Sequence, residues 1–149
     1  MNNIWNHIIK INKINMAKVV VYGTLRKGQR NHYYLRDEKF IGEFESEPVF
    51  SLYAVSTYPG LIQNGNTSVK MEVYEVDELK MKQLDTLEGY SGKVSSHNLY
   101  ERKNMITPFG MAKVYLYNQT YKKTPLITSG DWVDYNSLNT TAEYVQNSN

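Results

Sequence analysis

Between Lys18 and Tyr22 the chain reads K-V-V-V-Y and then meets Gly23. Consecutive β-branched and aromatic residues favour an extended strand. Three valines in a row leave neither face polar, so this strand must be covered on both sides and belongs in the middle of a sheet. Gly23 ends it, and the sequence turns at once to the basic, polar "TLRKGQRNH". Three readings of that corner are open. Gly23 and Gly28 have the G-x-x-x-x-G spacing of a phosphate loop, but Gln29-Arg30 follow where a lysine and a hydroxyl residue are needed. A plain strand-ending corner would use Gly23 for an unusual backbone conformation. An anion-binding turn would point the N–H groups of Gly23, Thr24 and Leu25 into a cavity, to meet a carboxylate or a developing oxyanion.

Around that strand the pattern is mostly short and extended. "FIGEFESEPVFSLYAV" alternates around a proline break, as antiparallel strands do, and "STYPGLIQNGNTSV" is rich in turn residues. "KMEVYEVD" alternates again, with Met71, Val73 and Val76 assigned to one side and Glu72 and Tyr74 to the other. The period then changes. "DELKMKQLDTLEGY" predicts a helix with Asp77 as N-cap and Gly89 as the residue that ends it. Met81, Leu84 and Leu87 form its apolar stripe, led by Val76 or Leu79. "NLYERKNMITPF" and "GMAKVYLYNQ" are two further strands, and "ITSGDWVDY" closes the compact part. The expected architecture is α+β: a small, mainly antiparallel, barrel-like sheet with a few flanking helices. Its expected bounds are 16–135, preceded by an appendage over 1–15 and followed by a polar tail over 136–149 that is expected to fray.

Composition narrows the chemistry. The 149 residues suit one domain with its own core. There is no cysteine, which removes disulfides, thiolate nucleophiles and cysteine-held metals. His7, His32 and His97 share no ligand spacing, so no metal is expected beyond a weak hard cation on carboxylates. Seventeen basic and fifteen acidic residues are interspersed, without the basic stripe of a nucleic-acid binder. No apolar run approaches the ~20 residues of a membrane-spanning helix. The first fifteen residues lack the continuous apolar stretch of a signal peptide. A cytoplasmic protein that meets a small molecule, as a monomer or homodimer, is the expectation.

One carboxylate stands out by position. Glu88 falls in the last turn of the predicted helix, at the negative end of the helix dipole. An enclosed setting would add desolvation, and both effects raise a carboxyl pKa toward the range useful for proton transfer at neutral pH. Charge alone favours a solvated surface glutamate. Asp85, three residues earlier, reads as an exposed helix residue.

"VVVYGTLRKGQRNHYYL", "KMEVYEVDELKMKQLDTLEGY" and "VYLY" together resemble the gamma-glutamylcyclotransferase-like superfamily, with gamma-glutamylamine cyclotransferases as the nearest branch. The likeness runs in order from about Val19 to Tyr117. It implies the barrel-like α+β fold, a substrate loop at Tyr22, Gly23, Thr24 and Leu25, and Glu88 as general acid and base. The implied reaction converts a gamma-glutamyl compound to 5-oxoproline and a free amine without a cofactor. Tyr100, Arg102 and Tyr117 are expected to line the side of the pocket that reads the amine. The "GYSGK" and "SGDW" stretches are closer to microbial members and leave that amine open. The alternative is a binding protein on the same fold that holds a gamma-glutamyl compound or amino acid without turnover.

Overall fold

The computed structural model describes residues 3–6 and 15–147. The appendage expected over 1–15 lies for the most part outside these residues; residues 3–6 are helical, with Ile4 and Trp5 exposed.

Strand β1 (Ala17–Val21) is the centre of a five-stranded sheet, as its valine run requires. It pairs antiparallel with β5 (Lys70–Val76) and parallel with β7 (Gly110–Tyr117). The outer strands are β2 (Lys39–Glu45) beside β5 and β6 (Tyr100–Thr107) beside β7, both antiparallel. A second, two-stranded sheet holds β3 (Phe50–Ala54) and β4 (Pro59–Gln63). The turn-rich stretch after residue 55 therefore contains a strand that the turn residues masked.

The two faces of β1 feed two cores. Val20 and Tyr22 pack with Leu52, Leu61, Met71, Val73 and Val114, so the β3–β4 pair closes over one face of the large sheet and makes it barrel-like. Val19 and Val21 pack on the other face with Tyr74, Val76, Met81, Leu84 and Tyr115. The alternation along β5 puts Val76 beside Tyr74, not beside Met71 and Val73.

Helix α1 (Glu78–Leu87) covers the second core. Asp77 caps it, its carboxylate accepting the Lys80 N–H at 2.8 Å, which satisfies one of the helix's orphan donors. Met81 and Leu84 are buried and Leu87 is half-buried; Val76 leads the stripe, because Leu79 is 67% exposed. Gly89 follows at φ +67°, the left-handed conformation that ends the helix. A single 3-10 turn (His32–Tyr34) follows the corner after β1. The polar tail is not frayed from Asn136: helix α2 (Trp132–Asn147) runs through that boundary. Its start is held by Trp132, buried in the first core. A buried anchor at one end lets a polar sequence of weak propensity continue as helix. No helix among the described residues is long and apolar enough to cross a membrane.

Candidate active site

A cavity of about 160 Å³ opens where β1 ends. Tyr22, Gly23, Thr24 and Leu25 form one side and Glu88, at the end of α1, stands in the same lining. The sheet brings them together because β1 and β5 are paired and α1 follows β5 after a single residue.

The corner is held by bonds from well beyond itself. The Arg26 guanidinium donates from Nε to Glu72 Oε2 at 2.8 Å and from Nη1 to Asp131 Oδ1 at 3.0 Å. The Lys27 N–H and the Tyr74 hydroxyl both donate to Glu72 Oε1, at 3.0 and 2.8 Å. Asn31 Nδ2 donates to Thr24 Oγ1 at 3.0 Å, and the Asn31 N–H to the Thr24 carbonyl at 2.9 Å. His32 Nδ1 lies 2.9 Å from the Leu25 carbonyl. Arg26 is thus structural bracing, whereas Arg30 of the same basic run lines the cavity. Sequence patterning gave no sign of Glu72 or Asp131, which are 46 and 105 residues from Arg26. Among the described residues, no protein acceptor takes the N–H of Thr24 or Leu25. That leaves backbone donors for an anion, as an N–H nest requires.

Gly23 is required for a different reason from the one the sequence implied. Its φ is ordinary; a Cβ there would lie 2.5 Å from Pro59 Cγ and 2.7 Å from Pro59 Cδ. The corner passes directly beside β4, and only the residue without a side chain fits.

Glu88 is half-buried at the end of α1 and surrounded by protein. Burial pushes its carboxyl up to about 7. Desolvation disfavours the charged form, and no side-chain donor among the described residues bonds to the carboxylate to offset it. The neighbouring phenols stay neutral. Burial, with the Glu88 charge behind it, holds Tyr22 well above its ordinary value. Tyr100 is raised chiefly by burial, with the Glu88 charge adding to it. Tyr115 is raised by burial and by its bond to Asp85. Each hydroxyl is already committed. Tyr22 donates to the Tyr115 carbonyl at 2.5 Å and accepts the Leu61 N–H at 3.3 Å. Tyr100 donates to the Pro59 carbonyl at 2.6 Å, and Tyr115 to Asp85 Oδ1 at 2.7 Å.

Of the three residues expected to read the amine, Tyr100 lines the cavity. Tyr117 stands behind it, ring edge against the Tyr100 ring at 5.4 Å between centroids. Arg102 lies elsewhere. It pairs with Asp85 Oδ2 at 2.7 Å and faces a separate groove along α1. The carboxylate of Asp85, read as an exposed helix group, is what draws it there. Asn31, Tyr58, Pro59 and Tyr115 line the cavity without having been singled out from sequence. For Asn31 the cue was present, in the N-H pair that closes "GQRNH". Among the described residues no group of three or more His, Asp or Glu side chains gathers in metal-ligand geometry.

The chain is similar to known proteins over most of its length. A Vibrio cholerae protein named, provisionally, as a gamma-glutamylcyclotransferase is 46% identical over 114 residues, 76% of this chain and 93% of that protein. The gamma-L-glutamyl-butirosin B gamma-glutamyl cyclotransferase of Niallia circulans is 33% identical over 128 residues, 83% of this chain and 80% of that protein. Among solved structures, an uncharacterized protein from Pyrococcus horikoshii superposes with a TM-score of 0.68 at 29% identity, covering 84% of this chain and 97% of that one. Residues 19–134 match the profile of one family, and they hold the β1 corner, the helix that ends at Glu88 and the Asp131 brace: the chain belongs to the gamma-glutamyl cyclotransferase, AIG2-like family.

Proposed function

We propose that this protein is a gamma-glutamyl cyclotransferase that releases 5-oxoproline and a free amine from a gamma-glutamylamine or related gamma-glutamyl compound, with Glu88 as general acid and base. The observation that carries the reading is a single carboxyl, raised to about 7, in a cavity walled by the 22–25 corner. A cavity of about 160 Å³ is small beside the roughly 300–1,000 Å³ of drug-sized sites, and suits an amino-acid-sized head group.

A gamma-glutamyl amide carries its own nucleophile. Glu88 takes a proton from the α-ammonium, and the freed amine attacks the γ-carbonyl carbon. The C–N bond of a five-membered ring forms, and the carbonyl oxygen becomes an oxyanion. Thr24 and Leu25 N–H groups supply donors for the oxyanion or for the α-carboxylate. Collapse breaks the bond to the leaving nitrogen, which receives a proton from Glu88. Over the cycle the α-nitrogen loses two protons and the leaving nitrogen gains two, so charge and atoms balance. Because the reaction is intramolecular, orientation supplies much of the acceleration, roughly 7–11 kcal/mol in favourable cases.

The test is a product assay by mass spectrometry on gamma-glutamyl-ε-lysine, simple gamma-glutamylamines, gamma-glutamyl dipeptides and glutathione, with Glu88→Gln alongside. 5-Oxoproline from the wild type and not from the variant supports the reading. Glutamate in place of 5-oxoproline would make the protein a hydrolase. Binding without product would make it a gamma-glutamyl-binding protein on an enzyme's fold.

A further inference from the structure

A second cavity, of about 480 Å³, adjoins the β1 corner. Thr24 and Arg30 line both cavities, so the two meet at the substrate loop. The second is walled by the loop between β3 and β4, at Ser56 and Thr57, and by helix α2, at Tyr135, Asn136 and Asn139. Its described lining is dominated by uncharged hydrogen-bonding side chains. Trp132 stands in the same wall, 2% exposed, and its indole N–H is a buried donor with no hydrogen-bond partner. A buried donor left unpaired is uncommon and costly. Asn136 and Gln29 are joined by a long bond, 3.3 Å from Nδ2 to Oε1, which holds α2 against the corner. The match to the family ends at residue 134. Tyr135, Asn136 and Asn139 lie just beyond that match.

We propose that this polar cavity receives the part of the substrate beyond the scissile amide, and that it selects leaving amines carrying an uncharged hydroxyl or carbonyl acceptor over purely aliphatic ones. This rests on the cyclotransferase reading, which places the γ-carbonyl between the corner and Glu88. Thr24 and Arg30, shared by both linings, set the second cavity beside the point where the leaving group would emerge. A site built to hydrogen-bond a ligand discriminates strongly against the analogue that leaves its polar groups unpaired.

Three gamma-glutamyl compounds test this. One is gamma-glutamylmethylamine, too short to leave the first cavity. The second is gamma-glutamylpentylamine, and the third is its analogue with a hydroxyl in place of the terminal methyl. The wild type is expected to favour the hydroxylated compound over the pentyl one by about fivefold to tenfold in kcat/KM, the size of one well-made hydrogen bond. Asn139→Leu, on an exposed position of α2, is expected to shift that ratio toward the pentyl compound; Trp132→Phe should do the same. The second readout needs no turnover. The chain has two tryptophans, Trp5 and Trp132, so loss of a peak in Trp132→Phe assigns the Trp132 indole N–H in a proton–nitrogen NMR spectrum. In Glu88→Gln, the hydroxylated compound should shift that peak and gamma-glutamylmethylamine should not. Equal kcat/KM for the hydroxylated and pentyl compounds, with an unmoved indole peak, would overturn the proposal while leaving the cyclotransferase reading intact. If no compound yields 5-oxoproline, the cyclotransferase reading fails, and the indole shift alone decides whether the cavity is a ligand site.

Discussion

Arg26 Nε and Glu72 Oε2 lie 2.8 Å apart, with the two side chains 7% and 4% exposed. This buried pair joins the corner after β1 to the middle of β5. Removing one partner leaves an uncompensated charge in the interior, which typically costs about 3–5 kcal/mol. Arg26→Ala or Glu72→Ala should therefore lower the urea midpoint sharply. Replacing both residues by well-packed apolar ones should recover much of the loss, read as a coupling energy in a double-variant cycle. Asp131 shares the network. Burial pushes its carboxyl up, but the Asp134 N–H, Arg26 and Lys70 outweigh that and hold it below the usual range. Its contribution is thus present at neutral pH and lost as pH falls through its lowered value. Acid unfolding of Asp131→Asn should start from a lower stability and lack that component.

Glu88 works in the opposite direction. Its carboxyl titrates near 7 in the folded protein and from about 4.5 as a free side chain. The folded state binds the extra proton between those values, so stability falls as pH rises from about 4.5 to about 7. The full cost is about 3 kcal/mol by the size of the shift, less for a group that retains solvent contact. Glu88→Gln should raise the melting temperature at pH 8, leave it nearly unchanged at pH 4, and lose most turnover. A variant that is more stable yet inactive separates a role in chemistry from a role in folding. A melting temperature that drops at pH 8 would contradict the buried, uncompensated carboxylate.

The same titration sets a pH dependence on activity. The general base must be ionised to accept the α-ammonium proton, so kcat/KM should rise with pH through about 7. The rise should flatten above it, until the substrate's own amine begins to titrate. A profile measured on a gamma-glutamylamine from pH 5 to 8.5 checks this. A rate already at plateau by pH 5 would remove Glu88 as the base.

Gly23→Ala should damage both the fold and the site. The added Cβ meets the Pro59 ring at 2.5 Å, so the corner or β4 has to shift. Overpacking of this kind costs about 1–3 kcal/mol. A displacement of the backbone donors by about 1 Å can reduce turnover by roughly 10²-fold. Thermal melts and kcat on the same preparation distinguish the two effects. Wild-type kinetics in this variant would remove the backbone cradle from the mechanism.

Arg102 makes the converse case. Its guanidinium is taken by Asp85 and faces the groove along α1. Arg102→Gln should cost about 1 kcal/mol of stability, as for one partly exposed ion pair, and leave the preference among leaving amines where it was. A changed preference in that variant would return Arg102 to the substrate.

Much of this molecule was legible in its sequence, because the deciding signals are local. The valine run could only be a strand buried on both faces. Asp77, the Met81–Leu84 stripe and Gly89 mark a helix by capping and period alone. Glu88 is legible as a carboxyl at a helix end for the same reason. What the tertiary structure decided is long-range. Gly23 is demanded by Pro59, 36 positions later, and not by its own backbone angles. The basic residue Arg26 is committed to Glu72 and Asp131, partners that only pairing of β1 with β5 and docking of α2 can deliver. Pro59-Gly60 reads as a turn, yet pairs as strand because β3 lies alongside. A polar stretch from Asn136 reads as a loose end, yet is helical because Trp132 anchors it in the core. Periodicity and capping act over a few residues and leave a trace in the chain; burial, close approach and ion pairing depend on residues far apart in sequence, and they exist only once the sheet has formed.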